Sequence, residues 1–160
     1  MQFQPRILVA DDDRSIRQLV ASILRREGLA VDTAADGAQA IECLRNNDYS
    51  IVLLDLLMPR LDGFGVMEYL KESGSRPKPV VLIMTAYADQ RFKKVDPEVV
   101  TGVLRKPFDI AELASLLRLC VEGLHPRPAA TGVDETRADV APSPPPGPEL
   151  LRPRGDEGVF

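Results

Sequence analysis

Five short apolar runs punctuate the chain: RILVA at Arg6–Ala10, LAVDTA at Leu29–Ala34, IVLLD at Ile51–Asp55, VVLIM at Val80–Met84 and VTGVLRK at Val100–Lys106. Between them, apolar positions recur at helical spacing. Ile16, Leu19, Val20, Ile23 and Leu24 share one helix face, with Gly28 as a stop. Asp36-Gly37 reads as a turn, followed by Ala38, Ala40, Ile41 and Leu44 on a second helix. Val66, Met67 and Leu70 mark a third, and Ile110, Leu113, Leu116, Leu117 and Val121 a last one, opened by Asp109 as N-cap. Strand and helix thus alternate about every 20–25 residues, and the strands are nearly continuous apolar runs, as expected when helices cover both faces of a parallel sheet. The expected class is α/β, a doubly wound five-stranded parallel sheet, and right-handed crossovers leave few topologies for it.

The pattern stops near residue 125. From Pro126 the text is PRPAATGVDETRADVAPSPPPGPELLRPRGDEGVF, rich in Pro, Ala and charge and poor in large apolar residues. Such a segment buries too little surface to offset its ordering entropy, so the reading is one domain at residues 1–125 and a disordered Pro-rich tail at 126–160. No output module is expected in that tail. The SPPPGP run is suited to polyproline II, and a passive role is the plainer reading.

Composition narrows the class further. Hydrophobic residues make up 44% of the chain and charged residues 28%, which is enough for a packed core. Net charge is −4, with no basic block of the kind that binds nucleic acid, so no direct nucleic-acid contact is expected. Cys43 and Cys120 have neither metal-type nor disulfide-scaffold spacing and read as ordinary buried thiols. No run approaches the roughly 20 apolar residues that span a bilayer, and MQFQPRILVADDD lacks the apolar core of a signal peptide. The expectation is a cytoplasmic protein without membrane insertion.

In an open α/β sheet, ligands bind beyond the carboxyl ends of the strands. Strand one ends in Asp11, Asp12 and Asp13, strand three in Asp55, strand four in Thr85 and Ala86, and strand five in Lys106-Pro107. Each has a bland reading by itself: Asp13 as a helix cap, Thr85 as a strand-end residue, Lys106 as a solvated lysine. Asp55 resists one, because leucines flank it on both sides and an unpaired carboxylate in an apolar wall is costly. The joint placement carries the signal. Clustered carboxylates repel, and a hard cation such as Mg2+, which takes oxygen ligands and keeps waters and phosphate oxygens, relieves that repulsion. Mg2+ and Lys106 together would keep Asp55 ionised, and an ionised carboxylate in line with a phosphoryl group is a competent nucleophile.

The segments ILVADDDRSIR, LLDLLMPRLDGF, IMTAYAD and LRKPFD, in this order and spacing, resemble the four signature segments of the response-regulator receiver domain of two-component signalling, over about residues 5–124. The resemblance implies a (βα)5 flavodoxin-like fold with sheet order 2-1-3-4-5. It implies Asp55 as phosphoacceptor, Asp12 as a direct Mg2+ ligand, Asp11 acting mostly through a water, and the Leu57 backbone carbonyl as a further ligand. Thr85 and the Ala86 amide would hold one side of the phosphoryl group and Lys106 the other, with a cis Lys106–Pro107 bond. The partners implied are a sensor histidine kinase or phosphotransfer protein as phosphohistidine donor, and an output protein. The domain would be of the stand-alone type and would assist its own phosphorylation and dephosphorylation, without being a turnover enzyme on external substrates. No histidine is needed at the site, and His125 stands at the tail's edge.

The sequence departs from the family in three places. ADQRFKKVDPEVVTG lacks a full amphipathic pattern and contains Pro97, so a shortened helix near Ala88–Lys94 and an irregular link are expected, or a late helical turn begun by Pro97. Val103 occupies the position of an aromatic switch residue. Leu57 and Tyr87 occupy the two positions that tune phosphoryl lifetime, and neither is a good base at neutral pH. Two rival readings are a phosphorylation-independent scaffold, which the intact Asp11, Asp12, Asp55, Thr85 and Lys106 set argues against, and a haloacid-dehalogenase-type phosphatase. The latter wants a second Asp two residues after the nucleophile, where Leu57 stands.

Overall fold

In the computed structural model, residues 4–74, 77–86 and 93–124 are described. Backbone contacts divide the chain into Met1–Pro126 and Arg127–Phe160, and every described residue belongs to the first unit. The element order is β1 (Arg6–Ala10), α1 (Arg14–Arg26), β2 (Ala30–Ala34), α2 (Gly37–Asn46), β3 (Ile51–Asp55), α3 (Gly63–Glu72), β4 (Val80–Thr85), β5 (Gly102–Arg105) and α4 (Ile110–Leu124). The strands form one parallel sheet, as the sequence pattern implies, in the order β2-β1-β3-β4-β5, as the resemblance implies.

Alternate side chains of β1, β3 and β4 feed two cores. Leu8, Ala10, Val52, Leu54, Val81 and Ile83 pack with Ala40 of α2 and with Val66, Met67 and Leu70 of α3. Ile7, Val9, Ile51, Leu53, Leu82 and Met84 pack on the other face with Val20 and Leu24 of α1 and with Leu113 and Leu117 of α4. β3 lies at the centre and is buried throughout, which is why its sequence is an unbroken apolar run. Full burial of one such Leu or Ile contributes roughly 1.5–3 kcal/mol. β5 is the edge strand, with exposed Val103 and Arg105 flanking buried Leu104.

Each helix begins at an aspartate. Asp13 accepts from the Ser15 and Ile16 amides, Asp36 from Gln39, Asp62 from Gly65 and Asp109 from Ala111, so each satisfies donors that a helix start leaves orphaned. The link before β5 is also capped. Lys93 and Lys94 lie in a short 3-10 turn, and Asp96 accepts the Glu98 amide on its side chain and the Val99 and Val100 amides on its carbonyl. Pro97 therefore stands at the first position of a single late turn, where its missing N–H costs nothing. Of the helix expected near Ala88–Lys94, residues 88–92 lie outside the described residues, as do Tyr87, His125 and the tail at 126–160. The two cysteines are free and half-buried rather than fully buried.

Candidate functional site

Strand register assembles the site. Ala10 pairs with Leu54, so Asp11 and Asp55 each follow a paired residue on adjacent strands. Asp55 pairs with Met84 and Thr85 comes next; Thr85 pairs with Arg105 and Lys106 comes next. The four side chains expected from the sequence thus stand at one edge of the sheet. Asp11, Asp55 and Thr85 are buried there, while Asp12 and Ala86 are exposed beside them.

Lys106 Nζ lies 2.6 Å from Asp11 Oδ2 and 2.9 Å from Asp55 Oδ2, so one ammonium serves two carboxylates. The second contact is a hydrogen bond. The first is an ion pair, and the Lys106 ammonium is the partner of the buried Asp11 Oδ2. The remaining oxygens are held by backbone: Asp11 Oδ1 accepts from the Asp13 amide at 2.9 Å and Asp55 Oδ1 from the Leu57 amide at 3.0 Å. Burial pushes the Asp11 carboxyl above its ordinary value, opposed by Lys106 and the Asp13 amide and helped by the charge of Asp55. Burial pulls Lys106 down, but its contacts with Asp11 and Asp55 outweigh this and hold the ammonium above its ordinary value. The Lys106–Pro107 bond is cis.

Asp11, Asp12 and Asp55 each offer a carboxylate oxygen within 4.8 Å of the others. Three hard oxygen donors at this spacing, two of them on buried carboxylates, fit a hard divalent cation.

Three further residues shape the site, and sequence reasoning did not single them out. Arg17 Nη1 donates to the Asp11 carbonyl at 2.6 Å and the Asp12 carbonyl at 3.4 Å, tying α1 to the acidic turn. Gly63 lets α3 approach β3: a Cβ there would lie 2.4 Å from the Asp55 carbonyl oxygen, while the Gly63 amide donates to the Leu56 carbonyl at 3.0 Å. Arg60 has φ +65°, a conformation that costs a non-glycine residue roughly 1–2 kcal/mol, and its guanidinium pairs with Asp36. A glycine beside a helix-capping aspartate was a readable sign for Gly63; nothing in the sequence marks the other two.

Residues 7–118 match the sequence model of the response regulator receiver domain. The chain belongs to that family. It is 35% identical over 136 residues to the response regulator MprA of Mycobacterium sp. (strain KMS), covering 82% of this chain and 59% of that protein. It is 34% identical over 135 residues to the transcriptional regulatory protein TcrA of Mycobacterium tuberculosis, covering 84% of this chain and 53% of the relative. The chain thus spans a little over half the length of these curated relatives. Among solved structures it resembles chemotaxis protein CheY4 of Vibrio cholerae, with TM-score 0.67 and 28% identity over 74% of this chain and 99% of that one. It also resembles the response regulator TrrA of Thermotoga maritima, solved in complex with Mg(2+)-BeF, with TM-score 0.64 and 27% identity over 73% of this chain and 99% of that one. Among the described residues no helix is long and apolar enough to cross a membrane.

Proposed function

We propose that this receiver domain is a phosphoryl-accepting switch in which Asp55 is the acceptor. The donor is a phosphohistidine on a sensor histidine kinase or phosphotransfer protein. An Asp55 carboxylate oxygen forms a bond to phosphorus as the phosphorus–nitrogen bond breaks, and the imidazole leaves. Asp11, Asp12, Asp55 and the Leu57 backbone carbonyl would hold Mg2+. When bound, that ion supplies positive charge against the transferring phosphoryl oxygens. Lys106 supplies a second positive charge, its ammonium 2.9 Å from Asp55 Oδ2. Thr85 and the Ala86 amide would receive the phosphoryl oxygens at the end of β4. The product alters which partner the domain binds, because a bound group shifts a conformational equilibrium only by interacting differently with the two states. The domain assists this chemistry on itself and does not turn over external substrates.

The observation that carries the reading is the single Lys106 ammonium set between the Asp11 and Asp55 carboxylates at the strand ends. Intact mass after incubation with Mg2+ and a small acyl phosphate, beside Asp55→Ala, tests it. One added phosphoryl group, absent in the variant and absent with chelator, is the expected result. Failure with both the small donor and a panel of phosphorylated kinases would turn the reading to a phosphorylation-independent scaffold.

A further inference from the structure

The loop from Leu56 to Asp62 carries the Leu57 backbone at the site, and it is fastened at its far end by groups outside the site. Asp36 is buried, with 2% of its surface exposed, and caps α2 by accepting the Gln39 amide at 2.9 Å. Its other oxygen, Oδ2, takes the guanidinium of Arg60, a side chain that reaches in from a mostly exposed position. Next to this pair the Gly37 amide donates to the Leu61 carbonyl at 2.9 Å, and a Cβ on Gly37 would lie 2.3 Å from that oxygen. The loop backbone is thus drawn against the start of α2, and Arg60 sits in the left-handed region at φ +65°. A bulky residue held in that region persists where its surroundings over-determine it, and such strain tends to collect near functional sites.

We infer that Arg60 and Asp36 form a clamp that positions the Leu57 backbone, both the amide that holds Asp55 Oδ1 and the carbonyl that would serve the metal. They are positioning residues for phosphoryl uptake, and the metal half of the inference rests on the function proposed above. The geometry distinguishes the clamp from a chance surface ion pair. One partner is buried and already spent as a helix cap, and the other end of the same seven-residue loop is tied to the acceptor through Leu57 N–H and Asp55 Oδ1 at 3.0 Å. Groups that orient a metal ligand from behind are typically worth about 10–100-fold in affinity.

The test uses Arg60→Asn, which keeps a residue tolerant of the left-handed region while removing the charge, with Arg60→Lys and Asp36→Asn beside it. Two quantities are measured on the full chain: Mg2+ affinity by calorimetric titration, and amide hydrogen exchange at Leu57 and Gly37 against the β3 amides. The expected result is Mg2+ binding weakened about tenfold in Arg60→Asn, partial recovery in Arg60→Lys, and faster exchange at Leu57 with β3 unchanged. Slow phosphoryl uptake should recover at saturating Mg2+, since the acceptor itself is intact. If Asp36→Asn fails to fold, Arg60→Asn decides alone. Wild-type Mg2+ affinity and wild-type Leu57 exchange in Arg60→Asn would overturn the clamp. If the wild-type chain itself shows no Mg2+ binding, the proposed function fails, and the exchange at Leu57 alone then decides the clamp: faster exchange upholds it and unchanged exchange overturns it.

Discussion

Lys106 follows β5 and Asp11 follows β1, strands separated in the sheet by β3 and β4, yet their side chains meet at 2.6 Å, and Asp55 at the end of β3 shares the same ammonium at 2.9 Å. Removing the cation would leave two buried carboxylates facing each other. Breaking a buried pair by deleting one partner costs about 3–5 kcal/mol, so Lys106→Met is expected to lower unfolding free energy by about 3 kcal/mol in chelator. Added Mg2+ should restore part of that loss, because it neutralises the same pair of oxygens. Denaturant titrations with and without Mg2+ check this; equal losses in both would separate Lys106 from the acidic cluster.

Gly63 and Gly123 make a matched contrast. At Gly63 an added Cβ would stand 2.4 Å from the Asp55 carbonyl oxygen and 2.8 Å from Leu56 Cα, both backbone atoms that cannot swing aside. Gly63→Ala should therefore destabilise by about 1–3 kcal/mol and slow phosphoryl uptake, since the strand that moves carries the acceptor. Gly123 lies exposed in α4 with nothing within 4 Å of an added Cβ. Gly123→Ala should stabilise by about 0.5–1 kcal/mol through helix entropy, with uptake unchanged. Thermal melts and uptake rates of the two variants read both effects.

The strands and the strand-end residues were readable from the sequence because burial on both faces forces continuous apolar runs, and parallel strands bring their carboxyl ends to one edge. The edges of elements blurred where that logic weakened. Leu29 belongs to the approach to β2 rather than to the strand, and β5 shrinks to Gly102–Arg105 because an edge strand alternates rather than running apolar. Pro97 begins a late turn capped by Asp96, a feature of backbone geometry, while most of the shortened helix expected near Ala88–Lys94 lies outside the described residues. The Asp36–Arg60 pair was illegible for a different reason. Its members stand 24 residues apart, one looks like an ordinary turn residue, and the left-handed backbone that aims the other belongs to a residue type that rarely adopts it.

Asp32 gives the protein a readable acid response. It accepts from Arg6 Nε and from the Tyr49 hydroxyl, each at 2.7 Å. Burial pushes its carboxyl up, but the hydrogen bonds from Arg6 and Tyr49 and the positive charges outweigh this and hold it below 3.8. A folded pKa below the unfolded one means the unfolded chain takes up protons first as pH falls. The stabilisation is complete above 3.8 and is lost as pH drops through the folded value. Asp36, lowered chiefly by the Gln39 amide, acts in the same sense, whereas Asp11, raised by burial, acts in the opposite one. The urea midpoint should therefore fall as pH is taken below 3.8. Asp32→Asn should lower the midpoint at neutral pH and make the acid drop shallower. An unchanged drop would assign the acid response to other carboxylates.

The Leu57 side chain is expected to set how long a phosphoryl group would last on Asp55. Its amide is bonded to the acceptor carboxylate, and its side chain is 37% exposed at the rim of the site. Hydrolysis of an aspartyl phosphate needs a water in line with the phosphorus, and an aliphatic side chain there offers no hydrogen bond to orient one. Leu57→Asn adds such a group without touching the backbone contact, and should shorten the half-life severalfold. Tyr87→Glu, at a position outside the described residues, would add a carboxylate as well, with about 10²-fold as the reach of a well-placed base. The loss of the added mass with time, followed after donor removal in saturating Mg2+, gives both half-lives. A half-life in Leu57→Asn equal to or longer than wild type would mean that water access is controlled elsewhere around the acceptor.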